Sequence, residues 1–380
     1  MKMFRLSGHP LVRWWWSIDR TAVFVALGLM LLGLVIVTTA SSGVATDYDV
    51  DPYYFARRQL LFFALSFPFM LLITWLSPRG VRNTALVLFI LAAIGVVATL
   101  FTGEETKGAT RWIRLGPLGA VQPSEFLKPA FVILTAWLMS GEDGASRMKG
   151  FLTSMGLLAV MCALFMLQPN FAMVAVFGLV WWLQCFICGA PLRILVPMVL
   201  MGPAVLALAY TTLPHVKSRI QRFIDPTSGD TFQVDQAREA FMSGGFMGRG
   251  PGEGVVKQLL PDAHTDFIFA VVGEEFGIIA CMILLVLYGV LFWRSFSRLM
   301  SQEDRFILLA GSGLLVLFGV QILVNVGVAL HILPTTGMSL PFISYGGSSM
   351  LALSIVMGYV LALTRKGGKH VVKSVKDVQP

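Results

Sequence analysis

Charge is scarce in this chain. Only 13% of its 380 residues are Asp, Glu, Lys or Arg, about half the share usual in a soluble domain. No stretch between its apolar runs is long enough to build a soluble core, which excludes an assembly of two or three soluble domains. Cysteine is sparse too. Cys162, Cys185, Cys188 and Cys281 all fall in apolar runs. The "CFIC" pair has C-x-x-C spacing but no second pair beside it, so it reads as small buried side chains rather than a metal or redox centre. Phosphate-loop signatures are missing. The alternating Gly248, Gly250, Gly252 and Gly254 meet neither the P-loop spacing nor a dinucleotide-binding turn. The net charge is +8, but most Lys and Arg sit at the ends of apolar runs and form no soluble basic patch. Nucleic acid is therefore not an expected partner.

What the chain has is hydrocarbon. Fifty-six per cent of it is hydrophobic, in runs that predict ten membrane-spanning helices at 21–42, 59–77, 83–101, 124–140, 151–168, 170–188, 191–212, 266–293, 305–331 and 345–364. The expected fold class is an all-α integral membrane protein of about ten transmembrane helices, with a long extracytoplasmic loop between helices 7 and 8. The first run is too long for a signal peptide and follows an interfacial aromatic belt, "RWWW" at 13–16. The expected division is a cytoplasmic segment 1–20, a membrane domain 21–364 containing the loop 213–265, and a cytoplasmic tail 365–380. Ten spans put both termini on one side. Lys2, Arg5, Arg13, Arg20, Arg79, Arg82, Arg294, Arg298 and the basic tail make that side cytoplasmic by the positive-inside rule. The outer loops still carry Arg111, Arg114, Lys217, Arg249 and Lys257. Orientation does not account for these, whereas an anionic partner or balancing loop acids would.

Four polar stretches interrupt the apolar pattern. In "QPSEFLKPA", Pro123 opens a helix and Glu125 and Lys128 are i,i+3 neighbours at its start. The pair is either a cap with a snorkelling lysine or a lysine held ready for an anion. In "DQAREAFMSGGFMGRGPGEGVVKQ", a short amphipathic helix at about 235–243 precedes glycine-rich backbone whose N–H groups could meet a phosphate. In "LPDAHTDFIFAVVGEEFG", Thr265 is an expected N-cap, which sets Asp266 in the first turn of the eighth span. Glu274 is then close enough in angle to share a cavity wall with Asp266, while Glu275 points the other way. A carboxylate inside a span usually has a task, although structural pairing within the bundle is the alternative. In "LPTTGMSLPFISYGGSSM", Pro and Gly break the helical pattern, which is tolerated only against protein or a wet cavity.

These stretches, in this order, resemble the SEDS family of bacterial membrane proteins (shape, elongation, division, sporulation). The resemblance runs along nearly the whole chain, and its wording, with "WWWSIDR" before the first helix, is nearer the division branch than the elongation branch. It implies ten transmembrane helices and a glycosyltransferase that polymerises the peptidoglycan precursor lipid II on the outer face of the inner membrane. Asp266 matches the family's essential acid, Glu125 and Lys128 its "PSE..K" pair, and Trp112 its tryptophan after arginine. Many members have Glu where this chain has Asp262. The expected substrate contacts are Glu125, Lys128, Arg111, Trp112, His264, Thr265, Glu274 and Arg58, with Asp266 as general base. The implied partners are lipid II, a class B penicillin-binding protein transpeptidase and other division membrane proteins, at the division septum. No organic cofactor is implied. A divalent cation stays open, because carboxylates at 262, 266 and 274 suit one without a diagnostic spacing. Two other classes remain at this stage: a lipid II transporter, and a scaffold that only recruits a partner enzyme.

Overall fold

Backbone crossing hydrocarbon must satisfy its own polar groups, so long apolar runs wind into helices. The computed structural model describes residues 9–47, 51, 53–102, 104–106, 109–114, 119–141, 144–224 and 232–366. The helices are α1 (Pro10–Ser17), α2 (Arg20–Asp47), α3 (Tyr54–Ile73), α4 (Pro78–Thr102), α5 (Pro123–Met139), α6 (Gly144–Leu167), α7 (Phe171–Ile187), α8 (Leu192–Thr212), α9 (Pro214–Ile224), α10 (Phe232–Gly244), α11 (Ile268–Leu299), α12 (Arg305–Ala329) and α13 (Gly347–Leu363). Among the described residues, ten of these have 17 residues or more, and they fall on the ten expected runs. Seven are long and apolar enough to cross a membrane: α2, α3, α4, α6, α8, α11 and α12. The other three, α5, α7 and α13, have 17 residues each, about 25 Å at ~1.5 Å per residue and the short end of the spanning range. Irregular backbone precedes each of them. The chain is an all-α polytopic membrane protein.

Between α4 and α5 the sequence reading expected only a loop. A small antiparallel sheet stands there, in the order β1 (Glu104–Thr106), β2 (Ala109–Arg114), β3 (Ala120–Val121). The alternation in "ATRWIR" was too short to separate from loop.

Three helices form the centre. α5, α12 and α13 are buried along most of their length and touch one another. Buried polar groups here find protein partners, as they must away from water. Gln184 of α7 accepts from Thr135 Oγ1 (2.7 Å) and donates to the carbonyl of Val132 (3.0 Å), joining α7 to α5.

One end of the bundle is held by Asp19. Its carboxylate accepts from the Ala22 N–H in the first turn of α2 (3.1 Å) and from Arg294 Nη2 (3.4 Å), and it is ion-paired with Arg298, whose Nε lies 2.7 Å away. Arg298 and the Lys366 N–H both donate to the Ser17 carbonyl, Arg365 donates to that of Leu76, and Trp14 Nε1 donates to Thr74 Oγ1. The start of α2, the α3–α4 turn and the ends of α11 and α13 therefore lie together, and this is the end that carries the expected cytoplasmic arginines.

At the other end, the segment after α8 folds back on the bundle. α11 is two helices meeting at Gly277, whose φ of 79° interrupts the ladder. Residues 245–250 fill that break: Arg249 N–H bonds the carbonyl of Glu274 (2.9 Å), Gly250 N–H that of Glu275 (3.0 Å), and Ile278 N–H that of Gly245 (3.0 Å). Gly248 has φ +80°, and a Cβ there would lie 2.3 Å from the Glu275 carbonyl oxygen, so only glycine fits the approach. Glu274 turns back on the same loop. Its carboxylate accepts from the N–H groups of Val255 (2.7 Å), Val256 (2.7 Å) and Lys257 (2.9 Å). This corrects one expectation. Glu274 is fully buried on the loop backbone, away from any shared wall with Asp266. The N–H groups at 255–257 serve that carboxylate.

Lys257 is equally committed. Its side chain is fully buried, ion-paired with Glu275, and donates to the Thr39 carbonyl of α2 (2.8 Å). Removing one partner of a buried pair strands the other charge, at a cost of about 3–5 kcal/mol, whereas replacing both with apolar or neutral groups often costs little. Lys257→Met and Glu275→Gln are therefore each expected to lower the thermal midpoint of the purified protein sharply. The double variant should melt nearer the parent than either single one, and melting curves of the four proteins check this.

Candidate functional site

Asp266 lies outside the helix in which the sequence reading set it. Residues 261–267 form consecutive turns, and α11 begins only at Ile268 with Phe267 as N-cap. Thr265 is therefore not the cap; its Oγ1 donates to the Asp262 carbonyl (3.2 Å). That carbonyl also receives the N–H groups of Thr265 (3.0 Å), Asp266 (3.1 Å) and Phe267 (3.3 Å). Asp262 sits at φ +57°. A short aspartate tolerates this left-handed backbone better than most residues, which gives a physical reason for Asp at this position.

Against this turn runs the broken segment 331–346. Tyr345 N–H donates to the His264 carbonyl (2.9 Å), Ser344 Oγ to the Thr265 carbonyl (2.6 Å) and Asn325 Nδ2, from α12, to the Asp266 carbonyl (2.9 Å). Gly337, at φ +76°, lies beside the acid, for a Cβ built on it would stand 3.7 Å from Asp266 Oδ2. Asp266 itself is half-buried. The expectation of a segment unwound against protein beside the eighth span is met.

The other expected residues divide into those near this turn and those elsewhere. His264 is buried, with its ring centroid 4.8 Å from Phe55 and 5.3 Å from Tyr345. Arg58, from the first turns of α3, donates to the Tyr54 hydroxyl (2.9 Å) and also faces Tyr345 and the backbone of Gly119. It thus stands beside the His264 and Tyr345 rings. Arg111, on β2, donates to the Pro169 carbonyl between α6 and α7 (2.8 Å). Trp112 is half-buried in β2 beside it. Arg58 is linked to the Asp266 turn through Tyr345, whose N–H bonds the His264 carbonyl.

Glu125 and Lys128 form the expected pair at the start of α5. The ammonium donates to both carboxylate oxygens (2.8 and 2.9 Å), and both side chains are nearly excluded from solvent. Two of the three ammonium protons are spent on Glu125, which leaves one donor direction. The Gln122 N–H bonds Ser348 Oγ (3.1 Å), so α5 and α13 begin at the same height. Asp262, Asp266 and Glu274 do not gather: among the described residues no group of three or more His, Cys, Asp or Glu side chains could share a cation.

Sequence reasoning missed Asn325, Ser344 and Tyr345. For Asn325 a signal was present, since an amide inside the apolar run "QILVNVGVA" costs free energy unless it is paired. Ser344 and Tyr345 lie within a quoted motif, but no periodicity says which of its residues turns toward the acid.

This arrangement has known counterparts. A family model described as "Cell cycle protein", covering FtsW, RodA and SpoVE, matches residues 19–368. The chain is 38% identical over 358 residues to the "Probable peptidoglycan glycosyltransferase FtsW" of Caulobacter vibrioides, covering 93% of this chain and 90% of that one. It is 34% identical to the protein of the same name from Thiomicrospira cyclica, over 91% and 92% of the two chains. Its fold is similar to a chain of the solved structure described as "Structural coordination of polymerization and crosslinking by a peptidoglycan synthase complex", with a TM-score of 0.75, 28% identity and coverage of 92% and 98%. It is also similar to the rod shape determining protein RodA of Thermus thermophilus, with a TM-score of 0.69, 28% identity and coverage of 92% and 97%. With the match spanning nearly the whole chain, the protein belongs to the FtsW/RodA/SpoVE family of polytopic membrane proteins.

Proposed function

We propose that this protein polymerises lipid II into glycan strands, and that Asp266 is its general base. The observation that carries the reading is the half-buried carboxylate of Asp266, set in a turn beside the unwound segment 331–346, in a chain whose relatives are named peptidoglycan glycosyltransferases. Lipid II joins a polyprenyl tail to a disaccharide-peptide through a pyrophosphate, so its reacting carbon rides at the membrane edge. The 4-hydroxyl of the acceptor N-acetylglucosamine attacks C1 of the donor N-acetylmuramic acid. The C1–oxygen bond to the pyrophosphate breaks, undecaprenyl pyrophosphate leaves with the electron pair, and Asp266 takes the hydroxyl proton. Charge building on the leaving group needs cationic or N–H partners. Arg58 and Lys128 are the residues we assign to it, Arg58 for its station beside the Asp266 turn and Lys128 for its remaining donor.

The reading extends to place and partners. The Asp19–Arg298 end is the cytoplasmic end, with both termini there, and Asp266 faces outward, the side where a class B penicillin-binding protein would crosslink the product. The 38% identity to a protein named FtsW favours division, at the septum, over elongation. A lipid carrier lacks glycan synthesis, so purified protein supplied with lipid II in detergent separates the two: polymer supports the reading, and unreacted lipid II under conditions that keep the protein folded counts against it.

Two variants test the assignments. Asp266→Asn keeps the size of the side chain but cannot accept the proton, and loss of a general base typically costs about 10²–10⁴-fold in rate. Glycan synthesis should fall by that factor while expression and membrane insertion stay near the parent. Lys128→Met should also lose most polymerisation, but it strands Glu125 in a buried site. The double variant Lys128→Met/Glu125→Gln is therefore expected to recover thermal stability without recovering activity. Recovery of both would make the pair structural only.

A further inference from the structure

The helix does not place the acid. Asp266 lies two residues before α11, in a turn built on the left-handed Asp262. What holds its backbone comes from outside. Three consecutive carbonyls, of His264, Thr265 and Asp266, each accept from a different donor: Tyr345 N–H (2.9 Å), Ser344 Oγ (2.6 Å) and Asn325 Nδ2 (2.9 Å). Two of these donors are side chains, and each makes a second bond to the broken segment. The other Asn325 amide proton goes to the Met338 carbonyl (2.7 Å), and Ser344 Oγ accepts from the Leu340 N–H (2.8 Å). An amide nitrogen has two protons, and a hydroxyl can donate once and accept, so all four bonds can coexist. Gln59 of α3 donates to the Ser344 carbonyl (3.4 Å) and steadies it from behind.

Both residues are buried, Asn325 at 1% and Ser344 at 4% exposure. Their burial keeps both side chains away from solvent, and the bonds named above tie them to the turn and to the broken segment. The bonds they make join residues 264–266 to the segment that carries Gly337 past the Asp266 carboxylate. A catalytic group displaced by about 1 Å can lose about 100-fold in rate.

We propose that Asn325 and Ser344 are positioning residues for Asp266, clamping its turn to the 337–345 segment so that the carboxylate keeps a fixed line to the acceptor hydroxyl. The inference rests on the reading of Asp266 as general base.

The test uses the purified full chain with lipid II. Ser344→Ala and Asn325→Ser each remove a clamp. Expected is a fall in kcat of about 10–100-fold with KM for lipid II within about twofold, and recovery of most of the rate in Ser344→Thr, which restores the hydroxyl. Adding Ser344→Ala to Asp266→Asn should cost no further rate, because a clamp has nothing to position once the base is gone. Parent kcat in folded Ser344→Ala and Asn325→Ser, with Asp266→Asn inactive, overturns the inference and leaves the base assignment standing. An active Asp266→Asn removes both. A raised KM at parent kcat makes these residues substrate contacts and likewise overturns the proposal. If Asn325→Ser does not fold, Ser344→Ala and its Ser344→Thr rescue decide alone.

Discussion

Unwound backbone beside hydrocarbon must find its hydrogen bonds in the protein. Much of the Asp266 end of this molecule follows from that constraint. The chain leaves α-helical geometry at 245–267 and again at 331–346, which leaves rows of N–H and C=O groups without α-helical partners. The solution is reciprocal. Glu274 takes the N–H groups of residues 255–257, and the carbonyls freed at the Gly277 kink take those of residues 249 and 250. The carbonyls of residues 264–266 are taken by Tyr345, Ser344 and Asn325. Carboxylates that looked like chemistry in the sequence are in part the cost of this unwinding.

The molecule thus has two ends with different physics. At the Asp19 end, charges pair with charges and Lys366 is tied to Ser17, just before α2. At the Asp266 end, irregular backbone is pinned by buried polar groups, and a half-buried acid is set into it. A fixed acid on a rigid frame suits a reaction that needs one proton removed in one direction. The buried Lys257–Glu275 pair links this frame to α2 through the Thr39 carbonyl, so the loop and the bundle share one scaffold.

The fold was largely legible because ten apolar runs leave few alternatives, and the helices fall where hydropathy put them. Their ends were less legible. α11 starts two residues after its expected start, because Asp262 gathers the N–H groups of residues 265–267 into a turn that Thr265 was expected to cap. The sheet at 104–121 escaped notice, because its longest strand has six residues. Within the site, Glu125 and Lys128 met as their i,i+3 spacing required. Glu274 did not turn toward Asp266, because angular position on an ideal helix says nothing about a loop folding back to claim the carboxylate. Arg58 reaches Tyr345, whose N–H bonds the His264 carbonyl, and that is a tertiary fact no local pattern carries.

The central claim is that Asp266 accepts a proton. Its half-buried side chain suggests room for a small base once the carboxylate is removed. Chemical rescue therefore tests the claim directly: Asp266→Ala protein is supplied with lipid II and increasing formate, and glycan synthesis is followed. The account predicts turnover near background without formate and a saturable, formate-dependent recovery. Parent-level turnover by folded Asp266→Ala with no added base would contradict it.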